Sequence, residues 1–123
     1  MKIILDTNFL INCAKFRIDY EEQLKQDRHR LFTLDAVLDE LEKLIKQKKA
    51  KHAKLALQIL RQKKIKIIKT KKQSDVDSVL TYFADTEGYA IATADKDLKK
   101  KLKGKKIFVI RQKKYIKEIN KII

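Results

Sequence analysis

The chain has 123 residues, 44% of them apolar, and 31 basic against 16 acidic side chains give it a formal charge of +15. That length allows one hydrophobic core and excludes two ordinary domains, so residues 1–123 are expected to form a single domain. A lone cysteine, Cys13, excludes an intrachain disulfide and a zinc site built on several thiolates.

The first β-like run is Lys2 to Leu5 ("KIIL"), and it stops at Asp6, where a helical pattern begins. Arg30 to Leu34 ("RLFTL") is the second. After it Val37, Leu38, Leu41, Leu44 and Ile45 recur at helical spacing, and Ala53, Ala56, Leu57 and Leu60 repeat the pattern. Ile65 to Ile68 follows as a third strand, and then Val76, Val79, Leu80 and Phe83 mark another helix, closed by Gly88. Tyr89 to Thr93 ("YAIAT") is the fourth strand; a short helix starts near Asp95 and ends at Gly104, before a fifth strand from Ile107 to Ile110.

Strands alternating with helices imply βαβ units. The expected fold is therefore α/β, with a mostly parallel, five-stranded sheet covered by helices on both faces. No proline and two glycines leave no linker and no domain boundary. Nowhere do about eighteen uninterrupted apolar residues occur, and no basic region precedes an apolar leader, which predicts no membrane association and a cytoplasmic location.

The basic excess is concentrated in runs such as "KQKKAKHAK", "KTKK" and "KDLKKKLKGKK". Such a field favours a polyanion, with a solvated basic surface as the plain alternative.

Ligands of open α/β sheets collect beyond the carboxyl ends of the strands, at the point where strand order reverses. Asp6 and Asp95 each leave a different strand at that edge, and they converge if those strands are neighbours. Glu40 stands at the border of its helix's apolar stripe, beside Val37 and Leu44, and Asp77 flanks the stripe of Val76 and Leu80. Each acid also has a structural reading. Asp6 and Asp95 can cap the helices that follow them, Asp77 stands three after Ser74 in a capping-box arrangement, and Glu40 can pair with Lys43 or Lys46.

Taken in order, "ILDTNFL", "AVLDELEKL", "DVDSVLTYFA" and "AIATADKDLKKKL" resemble the sequence blocks of PIN-domain nucleases, and the likeness extends to "VIRQKKYI" near the end. The archaeal members are the most similar, among them VapC-type toxin ribonucleases and relatives of the endonucleases that process ribosomal RNA precursors. The resemblance implies a PIN-like three-layer fold and a metal-dependent endoribonuclease acting on single-stranded RNA. By the same resemblance Asp6, Glu40, Asp77 and Asp95 match the acids that hold Mg²⁺ or Mn²⁺ and carry catalysis. Asn8, Thr93 and Asp97 match supporting positions that orient ligands or waters. Two departures are Ala94, where many archaeal relatives carry asparagine, and Ser78, where some carry a second acid. A homodimer and, for a toxin, an antitoxin protein are the partners implied.

The chemistry explains why such residues would gather. Hydrolysing a phosphodiester needs an activated water and neutralisation of phosphate charge, and a divalent ion held by hard oxygen ligands supplies both.

Cleavage through the 2′-hydroxyl would instead need histidines, and only His29 and His52 exist, neither within a catalytic motif. A phosphorelay receiver would need an aspartate after the third strand, where "IKIIKTKKQ" has none. Two isolated glycines make neither a dinucleotide fingerprint nor a Walker loop. The remaining alternative is a catalytically inactive PIN-like RNA-binding module. Tyr89 and Tyr115 are candidates to stack on unpaired bases, whereas Phe9, Phe83 and Cys13 follow the core pattern.

Overall fold

The computed structural model describes residues 1–25, 28–70 and 75–120. In chain order the elements are β1 (Lys2–Leu5), α1 (Thr7–Phe16), α2 (Tyr20–Lys25), β2 (Arg30–Leu34), α3 (Asp35–Lys46), α4 (Ala53–Gln62) and β3 (Lys66–Ile68). They continue with α5 (Val76–Glu87), β4 (Ala90–Ala92), α6 (Lys96–Lys101), β5 (Lys106–Arg111) and β6 (Tyr115–Asn120).

The sheet runs β3-β2-β1-β4-β5-β6, with all neighbours parallel except the β5–β6 hairpin. It therefore has six strands where five were expected. The added strand is β6, and α2 is likewise an element that the apolar spacing did not signal.

From β1 the chain steps outward to β2 and β3, then returns across the sheet to β4 on the other side of β1. Right-handed crossovers put the helices of the outward and return halves on opposite faces. The contacts divide the same way, because α1, α3 and α4 pack on one another while α5 packs on α6. The switch point lies between β1 and β4, whose register pairs Leu5 with Ala92.

Ile3, Ile4 and Leu5 are fully buried, as a strand covered on both faces requires, and Ile91 and Ala92 beside them are buried as completely. The small side chains of Ala90 and Ala92 suit a crowded centre of the sheet. Thr33 is also fully buried, and its hydroxyl donates to the Leu5 carbonyl across β1 and β2 at 2.8 Å. That bond fixes the end of β1 immediately before Asp6.

Gly88 caps α5 with φ of 70°, the left-handed conformation that glycine adopts at least cost. At the other extreme of the sheet, the Ile116 N–H on the outer edge of β6 donates to Gln23 Oε1 of α2 at 2.8 Å. The Gln23 amide in turn donates to the Lys114 carbonyl at 3.4 Å. Among the described residues, no helix is long and apolar enough to cross a membrane.

Candidate active site

Asp6 follows the last residue of β1, and its own N–H continues the ladder by donating to Ala92 of β4 at 2.9 Å. It is the N-cap of α1, accepting the Thr7 N–H on Oδ1 at 2.8 Å. The second oxygen, Oδ2, accepts the Thr93 hydroxyl at 2.7 Å. The capping role and the position at the switch point belong to the same residue.

Thr93 follows β4, is fully buried, and links the two strand ends. Its Oγ1 accepts the Asp95 N–H at 3.1 Å while serving Asp6. Asn8 Oδ1 accepts the Ala94 N–H at 3.0 Å and lies 3.3 Å from the Thr93 hydroxyl. Asp95 caps α6, with Oδ1 accepting the N–H groups of Asp97 and Leu98. One hydroxyl and one amide thus hold the ends of β1 and β4 in register.

Glu40 enters from α3 and Asp77 from the first turn of α5. Together Asp6, Asn8, Glu40, Asp77 and Asp95 line a single cleft of about 200 Å³, with Thr7, Ile11, Leu44 and Val76 completing its wall. Asp97 does not line it; it is exposed, and its backbone N–H bonds to Asp95. Ser74 lies outside the described residues. The helix cap there is Asp75, one residue later, which accepts the Ser78 N–H at 2.9 Å. Neither histidine reaches the cleft: His29 lies edge-on to Phe108, and His52 precedes α4.

The electrostatics follow from this crowding. Burial pushes the Asp6 carboxyl up from 3.8 to about 6; the bonds from Thr93 and Thr7 oppose the rise, and the charges of Asp77 and Glu40 add to it. Asp77 is also raised, first by desolvation and then by Asp95, with Lys101 acting in the opposite sense. Spacing on the sequence had not singled out Lys101, since nothing in a lysine run distinguishes the one whose field reaches an acid.

Among the described residues, no three carboxylates are close enough to form a closed metal-ligand cluster. The donor set is nonetheless all oxygen, and the cleft is several times the volume of a water molecule, ~30 Å³. Hard ligands with open space around them suit a hard divalent cation that keeps part of its hydration.

A fold with its switch point lined by acids from four different elements defines a class, and the sequence comparison names it. The chain belongs to the PIN-like domain family, whose model matches residues 3–114. It is 34% identical over 122 residues to ribonuclease VapC4 of Methanocaldococcus jannaschii, covering 93% of each chain. In fold it resembles the PIN domain endonuclease Utp24, with a TM-score of 0.79 at 24% identity over 99% of this chain and 95% of that one. VapBC2 from Rickettsia felis, solved bound to a DNA fragment from its promoter, is similar in fold, with a TM-score of 0.64 at 16% identity. That match covers 90% of this chain and 100% of the other.

Proposed function

We propose that this chain is an endoribonuclease that hydrolyses single-stranded RNA with the help of Mg²⁺ or Mn²⁺, residues 1–123 forming one nuclease domain. The observation that carries the reading is the convergence of Asp6, Glu40, Asp77 and Asp95 on one cleft at the switch point. The 34% identity to a ribonuclease supports the choice of RNA.

In this reading Asp6 and Asp95 bind the cation directly, and Glu40 and Asp77 bind it directly or through water. The bound cation supplies charge neutralisation at the phosphate and a more acidic water. Thr93 keeps Asp6 oriented by its 2.7 Å bond. Asn8 is held by the Ala94 N–H, so its amide nitrogen remains available to a water or a phosphate oxygen. Asp97 would act only through the backbone bond that steadies Asp95.

The biological role follows one of two lines, a VapC-type toxin restrained by an antitoxin protein or an RNA-processing enzyme, acting as a homodimer in the cytoplasm.

The test is cleavage of a labelled single-stranded RNA by the pure protein with Mn²⁺ or Mg²⁺, with excess chelator, and by the Asp6→Asn, Asp95→Asn double variant. Cleavage should require the metal and vanish in the variant. RNA binding with no cleavage by the wild type would favour the inactive binding module. Undiminished cleavage by the double variant would remove the acids from the mechanism.

A further inference from the structure

At the edge of the sheet opposite the acids, the starts of β2 and β3 enclose a second cleft of about 290 Å³. Lys25, Arg30, Lys63, Lys64 and Lys66 line it against one acid, Glu21, with His29 and Phe32 on its wall. Two of these cations are already engaged: Lys63 lies 2.8 Å from Asp19, and Lys25 lies 3.6 Å from Glu21. Lys64 and Lys66 are exposed and have no ion pair among the described residues. A concave surface with surplus positive charge and no acid cluster suits phosphate groups.

A row of aromatic rings joins this cleft to α5. Phe32 meets Tyr89 edge-on at 5.5 Å, Tyr89 meets Phe83 at 5.5 Å, and Phe83 meets Tyr82 at 5.6 Å. Lys2 Nζ stands 4.3 Å over the Tyr89 ring, and Arg30 lies 5.7 Å from the Phe32 ring. Tyr82 is 56% exposed although apolar burial would stabilise its ring. The helix itself spans the distance between the two edges: Val76 and Asp77 at its start line the acid cleft, and Gly88 at its end lies beside the start of β4. Twelve helical residues extend ~18 Å.

We propose that the rear cleft is a second, non-catalytic binding site for the phosphate backbone of single-stranded RNA, reached from the acid cleft along α5 with Tyr82 as a stacking step. The inference rests on the ribonuclease reading for its substrate. Lysines neutralise phosphates without reading bases, and an exposed ring stacks on any base, so the site adds affinity for long strands and little sequence preference. Short strands occupy the acid cleft alone.

Fluorescence anisotropy in Mn²⁺, with every variant built on the cleavage-deficient Asp6→Asn, Asp95→Asn background, tests this without turnover, using labelled single strands of about five and about twenty nucleotides, a range that brackets one to two single-strand sites. The Lys64→Glu, Lys66→Glu variant should bind the long strand at least about tenfold more weakly at moderate salt. Its log–log salt slope should be shallower by ~1.4, two contacts at ~0.7 each. Tyr82→Ala should cost about fivefold or more on the long strand. The short strand should bind all variants alike. A control, Lys114→Glu in the β5–β6 turn with Lys117→Glu on β6, makes the same charge change at the far edge of the sheet. Equal losses in the control, or equal losses on short and long strands, would overturn the site. So would an acidic peptide that binds the wild type and is lost from the Lys64→Glu, Lys66→Glu variant while long-strand RNA binding stays unchanged. Tight binding of long RNA without cleavage would defeat the enzymatic reading and leave the rear site standing.

Discussion

Replacing Asp6 with asparagine should make the metal-free protein more stable, and the gain should depend on pH. The native carboxyl titrates at about 6 and the unfolded one near 3.8. Between those values the native state binds more protons than the unfolded state. Wild-type stability therefore falls as pH rises through that window, and the loss is complete above about 6. A displacement of that size corresponds to about 3 kcal/mol, and as Asp6 is only 4% exposed solvent screening reduces it little. Asparagine removes the charge and keeps the cap, because its oxygen still accepts from Thr7. Its amide would face the Thr93 hydroxyl, which can turn its proton to Asn8 Oδ1, 3.3 Å away. Exchanging a charge-assisted bond for neutral ones returns about 1–2 kcal/mol of the gain. The expected net difference is about 1–2 kcal/mol at pH 7.5, falling toward zero or reversing by pH 4. Urea unfolding of both proteins in chelator across that range measures it. Adding Mn²⁺ at pH 7.5 should cancel the advantage, since a ligand that binds the folded wild type stabilises it by mass action. A difference between the two proteins that stays constant from pH 4 to 7.5 would refute the desolvation argument.

Thr93→Val should cost about 1–3 kcal/mol, because it leaves a buried Asp6 oxygen and the partly buried Asp95 N–H short of a partner. It should also raise the Asp6 titration further and lower RNA cleavage about 10–100-fold, as loss of a ligand-orienting group does. NMR titration and initial rates check the two effects. Cys13 is 2% exposed and its thiol is pushed up to about 12 by burial, so a thiol reagent at pH 8 should label it only after denaturation. Rapid labelling of the native protein would contradict that burial.

The parallel strands were readable because each is a short apolar run bounded by a helical stripe. Their ends shifted by a residue: Ile65, Tyr89 and Thr93 fall outside the strands, and Lys106 and Arg111 lengthen β5, as terminal residues often do. The acids at Asp6 and Asp95 could be placed at one edge, but their adjacency came from strand order, which no local pattern contains. Glu40 and Asp77 reach the same cleft through helix packing. β6 was hidden for a chemical reason. Gln112 and Lys113 turn the β5–β6 hairpin with φ of 53° and 56°, a conformation usually signalled by asparagine and glycine. The strand itself is mostly exposed and polar, so it offers little alternation. α2 is only six residues long, and its clearest mark is Asp19, whose carboxylate accepts the Glu22 N–H.

The pairing of Gln23 with the outer edge of β6 bears on self-association. An edge strand offers free backbone donors and acceptors to any extended chain, and that is a common route to misassembly. The side-chain amide of Gln23 presents one acceptor and one donor, the same pair a neighbouring peptide unit would present, and it occupies Ile116 N–H and the Lys114 carbonyl. At the hairpin end, then, a short helix imitates a single rung of a seventh strand and occupies the place where a foreign strand would begin to add.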